Sequence, residues 1–485
     1  MRKHLLVGVI LLTWVPWYTP AAAAPDATPT FEQTNCDLPG IGSDIADRLL
    51  CGTIRVPRNH ARPEAGTFGL AVVVVKSEMQ PSHSDPVVYI SGGPGEPLTI
   101  YAAYQARKPY APSRNLILVD QRGTGRSEPS LCPDASRSLL DAALPVILQD
   151  SLDAQARRHA AYMTCRDEAK ARGIDLGDFG TRITAEDFDW VRRALKVERW
   201  NVYGESYGAT VAMTLAALHP ETVRSMVLDS MQPPDPVPRS STIVADARNA
   251  FFTVCARDPA CSAAYPDLAE TYRQTLLRLD QRPLAVKAPR QLRQFGDELR
   301  VTAPVFEFIV AQLLYDPTAY PTLPRLIRSV HDGASDSLVP VLASLHAAAA
   351  TRNPATHAAV ECRDRAHFRN PPAAPGNVSD RLQLNGICGD WSVLGPPPLL
   401  PRGGRVPTLV LTGQLDPVIR PDMARNTAGS NGALHVVEFP GVGHNVRHFS
   451  TCGERIAAAF IVDPNRAPDT ACVDQGPSIP FAPPG

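Results

Sequence analysis

An excess of charge of either sign is missing from this sequence: 48 Lys and Arg stand against 49 Asp and Glu, a net charge of −1 with His neutral. That balance excludes a polybasic nucleic-acid binder and a chain kept unfolded by self-repulsion. Also absent is any C-x-x-C spacing among the ten cysteines, which removes the usual zinc signature. Long apolar runs are scarce as well. The N-terminal one, residues 5–17, is interrupted by Pro16 and too short for a membrane span. No internal repeat is visible. What remains is a 485-residue chain, 44% hydrophobic, with the material for a large core but no fixed number of domains.

The cysteines need an oxidising compartment, and residues 1–24 suggest how the chain reaches one. Arg2 and Lys3 form a charged start, 5–17 an apolar stretch, and Ala22-Ala23-Ala24 a small-residue cleavage site. We expect a cleaved signal peptide ending at Ala24 and a secreted or periplasmic protein in which disulfides persist. An even count permits five bridges, but spacing alone cannot choose among roughly 945 pairings. Closure between sequence neighbours needs least rearrangement and gives Cys36–Cys51, Cys132–Cys165, Cys255–Cys261, Cys362–Cys388 and Cys452–Cys472. Free buried thiols are the alternative.

Strand-like apolar runs at 70–75, 87–90, 116–119, 200–203, 226–228, 407–412 and 435–439 alternate with helical patterns, the order of a mostly parallel sheet with crossover helices. A helix is expected over 184–195, with Thr184 as N-cap and Asp187 completing a variant capping box. Another is expected over 207–219, stopped by Pro220. The alternation breaks at 131–180 and again at 233–404, a stretch bounded by Pro-rich segments and helical inside, at 304–314 and 338–350. The expected organisation is an α/β domain built from 25–232 and 405–485, interrupted by a helical cap over 233–404.

The strongest chemical signal is Gly204-Glu205-Ser206-Tyr207-Gly208, between a strand and a small-residue helix. This is G-x-S-x-G in the strand–turn–helix setting of a nucleophile elbow, which would set the Ser206 hydroxyl at a helix N-terminus. An ordinary glycine-rich turn is the bland alternative. Such a serine needs a base, and the base an orienting acid, in the chain order Ser, Asp, His. Asp416 follows the strand 407–412, and His444 ends Gly441-Val442-Gly443-His444. Asp229 is a second candidate acid at a strand end, while Asp416 could be a plain turn former before Pro417. His60, His219, His435 and His448 read as surface or structurally satisfied residues. For the oxyanion hole, the Tyr207 N–H is one expected donor, and Gly93 in Ser91-Gly92-Gly93-Pro94-Gly95 is the other, since Pro94 has no N–H.

These segments, with Asp120-Gln121-Arg122-Gly123-Thr124-Gly125-Arg126-Ser127 and Leu411-Thr412-Gly413-Gln414-Leu415-Asp416-Pro417, resemble the proline iminopeptidase and tripeptidyl aminopeptidase branch of the α/β-hydrolases. Glu361-Cys362-Arg363-Asp364 and Cys388 with Trp391 are similar to the C-terminal domain of secreted tripeptidyl aminopeptidases. One departure is Ser91, where many members carry His. The resemblance implies release of short pieces from free peptide N-termini. Such an enzyme must reward a protonated amine, so it needs a carboxylate facing the site. Glu361, Asp364 and Glu205 are the candidates. The segment 120–123 is expected to position the oxyanion loop, with a solvated turn as the alternative. Acyl transfer by Ser206, His444 and Asp416 requires neither metal nor cofactor, and the expected partner is a peptide bound by a monomer. A secreted carboxylesterase or lipase using the same triad is the rival reading; a serine carboxypeptidase and a catalytically silent binding protein are weaker ones.

Overall fold

The computed structural model describes residues 29–483 apart from 80–81, 109, 111, 149–150, 232–240, 366–377, 379–381, 383, 392, 394, 402–405, 429–433 and 475–478. The expected signal peptide lies outside the described residues. Strands β1 (Phe31–Thr34), β2 (Leu49–Pro57), β3 (Thr67–Val75), β4 (His83–Ile90), β5 (Arg114–Val119), β6 (Trp200–Glu205) and β7 (Val223–Asp229) precede a hairpin of β8 (Leu284–Lys287) and β9 (Glu298–Val301). Strands β10 (Thr408–Gly413) and β11 (Leu434–Phe439) follow it. All except the hairpin join one nine-stranded sheet in the order β1-β2-β3-β5-β4-β6-β7-β10-β11. The ladders from β5 through β4 to β11 are parallel, and those from β1 to β3 and on to β5 are antiparallel.

The central strands are apolar on both faces because helices cover both. Along β4, Val88 and Ile90 enter one core while Val87 and Tyr89 enter the other; on β5, Ile117 and Val119 part in the same way from Leu116 and Leu118. This is the period of two of a pleated strand, in a sheet buried on both sides. The first core takes Phe188 and Val191 from the helix Thr181–Ala194 and Val211 and Leu215 from the helix Tyr207–Leu218. The second takes Ile456 and Phe460 from the helix Thr451–Val462.

The helix expected to start at Thr184 begins a turn earlier, and its N-cap is Gly180. Asp187 does no capping: its carboxylate takes the Arg122 guanidinium at 2.7 and 2.5 Å and His60 Nε2 at 2.8 Å. The Asp364 carboxylate, 183 residues away in sequence, accepts the Thr181 N–H instead, at 3.2 and 3.0 Å. The reason is tertiary: the segment carrying Asp364 packs onto that helix start, and local spacing cannot register it.

The described part of 233–404 packs in two places. Residues from Phe251 to Leu342, including the hairpin, build a core of their own that Leu415 also enters. Ala355 to Val393 instead join the sheet-face core with Cys132, Tyr162 and Cys165 of the 131–180 excursion. Trp391 Nε1 donates to the Tyr162 carbonyl at 3.2 Å across that contact. The five disulfides are those between sequence neighbours: Cys36–Cys51, Cys132–Cys165, Cys255–Cys261, Cys362–Cys388 and Cys452–Cys472. They suit an extracellular setting. Among the described residues no helix is long and apolar enough to cross a membrane.

Candidate active site

The site gathers where the parallel strands end. Ser206 follows β6, Asp229 closes β7, Asp416 follows β10 and His444 follows β11, so four loops that are distant in sequence meet along one sheet edge. Ser206 has φ 53 and ψ −118, a left-handed backbone that costs a non-glycine residue of order 1–3 kcal/mol and is held by the packing around it. Its N–H donates to the Asp229 carbonyl at 2.9 Å. The flanking glycines are required by close approach: a Cβ on Gly208 would lie 2.1 Å from the Ile90 carbonyl oxygen, and one on Gly204 would lie 2.6 Å from that of Gly208.

His444 is fully buried, and its Nδ1 lies 2.8 Å from Asp416 Oδ2. A carboxylate can only accept, so Nδ1 carries the proton and Nε2 presents its lone pair. Burial opposes the imidazolium, but the Asp416 carboxylate more than offsets this and holds the His444 pKa above its ordinary value. Nε2 is buried and makes no hydrogen bond, so the Ser206 hydroxyl is not bonded to it in this state. The other Asp416 oxygen accepts the N–H groups of Val418 and Ile419 at 2.8 and 3.0 Å. Turn forming and histidine binding are thus one geometry.

Asp229, the other candidate acid, does not bond His444. It accepts the N–H groups of Val446 and Arg447 at 2.8 and 2.9 Å and the Tyr203 hydroxyl at 2.7 Å, which anchors the loop that carries the histidine.

Gly92 lies directly against the serine, since its Cβ position is 3.0 Å from Ser206 Cβ. Gly93, beside it, has φ +106, and Tyr207 opens the helix behind Ser206. Gln121 Nε2 donates to the Ser91 carbonyl at 2.9 Å, and the Asp120 carboxylate accepts from Leu98, Thr99 and Arg126, so the 120–123 turn braces the glycine loop.

Of the three amine-binding candidates, Glu205 is buried with Oε2 2.9 Å from His448 Nε2. Burial would raise the Glu205 pKa, yet His448 holds it below the ordinary value; the carboxylate in turn lifts His448 to about 9. Asp364 is engaged by Thr181, and Glu361, half-buried on the helix Pro354–Arg365, is not free either. Three neighbours of the site gave no signal in the sequence. The Tyr315 ring stacks on the His444 ring at 4.5 Å, Glu96 follows the glycine loop, and Arg352 pairs with Glu96 at 2.6 Å. Tyr315 and Arg352 come from the segment between β7 and β10, whose approach no local pattern encodes.

The serine protease Hip1 of Mycobacterium tuberculosis is 26% identical to this chain, over 93% of the chain and 92% of its own length. A tripeptidyl aminopeptidase of Streptomyces lividans is 24% identical, over 76% of this chain and 72% of its own. The solved proline iminopeptidase of Mycobacterium smegmatis covers 85% of this chain and 98% of its own, at 17% identity and a TM-score of 0.42. The alpha/beta hydrolase fold family matches residues 85–450, most of the chain and all four loops of the site. With the sheet order and the strand-end loops described above, the chain belongs to the alpha/beta hydrolase fold family and is a hydrolase.

Proposed function

We propose that this protein is an exported serine aminopeptidase that releases short peptides or amino acids from free peptide N-termini. The observation that carries the reading is the buried His444–Asp416 pair, whose unpartnered Nε2 shares one sheet edge with the strained Ser206. In the mechanism, Ser206 Oγ attacks the scissile carbonyl as its proton passes to His444 Nε2. The tetrahedral oxyanion is held by the N–H groups of Gly93 and Tyr207. Collapse expels the amine, protonated by the imidazolium, and leaves an acyl-enzyme. Water, deprotonated by His444, then adds to the ester carbonyl and frees Ser206. Asp416 fixes the tautomer and stabilises the imidazolium throughout. The peptidase names of the curated relatives support a peptide substrate, and the five disulfides support export by the segment 1–24.

Labelling by a fluorophosphonate tests the nucleophile: Ser206→Ala is expected to abolish it, and persistent labelling removes Ser206 from the role. Hydrolysis of aminoacyl, dipeptidyl and tripeptidyl chromogenic amides, beside N-blocked copies and short esters, tests the substrate class. Unblocked amides are expected to be cleaved best; a preference for blocked peptides or esters would overturn the aminopeptidase reading, and a preference for esters would return the secreted carboxylesterase one.

A further inference from the structure

An enzyme that reads a free N-terminus needs a carboxylate near Ser206 with an acceptor left over. Glu205 and Asp364 are engaged internally, by His448 and by Thr181. Glu96 stands differently. It is the next residue after the glycine loop, and a Cβ on Gly93 would come within 3.3 Å of its Cγ, while Gly92 of the same loop touches Ser206. Arg352 donates to it side-on, Nε to Oε1 at 2.6 Å, and Oε2 accepts no hydrogen bond among the described residues. Its side chain is 26% exposed and open to a ligand, beside an Arg352 side chain that is 44% exposed.

The pair is also fixed relative to the catalytic loops. Asn353, next to Arg352, donates its N–H to the Gly95 carbonyl at 2.9 Å, which ties this segment to the glycine loop. The Arg352 guanidinium lies over the Tyr315 ring at 5.8 Å, and that ring stacks on His444. A continuous wall therefore runs from His444 through Tyr315 and Arg352 to Glu96, with a carboxylate oxygen at its end.

We propose that Glu96 is the specificity-determining residue for a free amino terminus: its Oε2 takes the substrate α-ammonium while Arg352 holds Oε1 and sets the orientation of the carboxylate. The assignment rests on the aminopeptidase reading. A rigid acceptor on the loop that binds the oxyanion ties the amine to the reacting carbonyl at a set distance, so it rewards N-terminal pieces of limited length.

The test compares wild type and Glu96→Gln, as the full mature chain, on unblocked Ala-Ala-Ala p-nitroanilide and its N-acetyl copy. The ratio of kcat/KM for the unblocked over the acetylated amide is expected to fall at least tenfold, with the loss carried by KM. In the wild type KM is expected to climb as the substrate amine deprotonates, and in the variant it should lose that climb. Persistent labelling of Ser206 by a fluorophosphonate shows that the variant is folded. A variant that labels, keeps the wild-type ratio and keeps the pH dependence of KM overturns the role of Glu96 alone. A wild type that does not prefer the unblocked amide overturns the aminopeptidase reading, and the Glu96 assignment with it.

Discussion

Two buried carboxylates, Asp416 and Asp229, end neighbouring strands and differ in what they hold. Asp416 holds the imidazole and Asp229 holds the backbone just after it. In the proposed triad, Asp416→Asn keeps an oxygen for the turn but offers an amide to Nδ1, which favours the wrong tautomer; kcat should drop on the order of 10³-fold or more. Asp229→Asn weakens only the loop anchor, so its loss of kcat should be far smaller and accompanied by a lower Tm. Steady-state kinetics and thermal melts of both variants check this, and equal kcat losses would contradict the division of roles.

His448 gives a pH prediction of its own. Burial lowers its pKa, Glu205 overrides that, and the result is a rise to about 9. A raised pKa adds stability that is complete below the ordinary value near 6.5 and is lost as pH climbs through about 9. His448→Gln should therefore cost about 2–3 kcal/mol at pH 6 and little at pH 10. Chemical denaturation at the two pH values measures it, and an equal cost at both would contradict the charged pair.

At the scale of the element, the tight strand–turn–helix at Gly204 to Gly208 was legible in the sequence. Its glycines are dictated by contacts within a few ångströms of the turn, and the motif carries them wherever the turn is used. Gly208→Ala should be severely destabilising, because its Cβ meets the Ile90 carbonyl at 2.1 Å and backbone there has no room to yield. A loss of more than about 3 kcal/mol, or of soluble protein, is expected; a near-native melt would show that strand and helix can separate. The helix Thr181–Ala194 was less legible. Its start is set by Gly180 and by Asp364, and its Asp187 faces Arg122 rather than its own backbone. Strands β1, β2, β8 and β9 also escaped: β1 is largely exposed, β8 and β9 mix exposed and buried positions, and in β2 Gly52, Thr53 and Arg55 interrupt the apolar residues.

For the whole molecule, the disulfides clamp loops of very different size. Cys132–Cys165 spans 33 residues and Cys255–Cys261 spans 6, so loop-closure entropy predicts about 4 and about 2 kcal/mol of stabilisation. Paired Cys→Ala variants, unfolded in denaturant, should show that order, and the reverse order would mean that native-state packing outweighs chain entropy. Cys132–Cys165 also sits where the excursion meets the Ala355–Val393 segment, so its removal should loosen the cover over that face of the sheet.

The sequence by itself determined what is local: the strand–turn–helix around Ser206 and the glycine loop at 91–95, and it put the neighbour pairing of the cysteines first without excluding the others. Each is a backbone or short-loop requirement written within a few dozen residues. Only the tertiary structure decided which carboxylate faces which partner: Asp416 with His444, Asp229 with the loop beyond it, Glu205 with His448, and Glu96 with Arg352. These partners stand at the ends of parallel strands or on the segment laid over them. Because each parallel crossover returns the chain to the same edge of the sheet, residues tens to hundreds of positions apart become neighbours, and no periodicity in the sequence records that meeting.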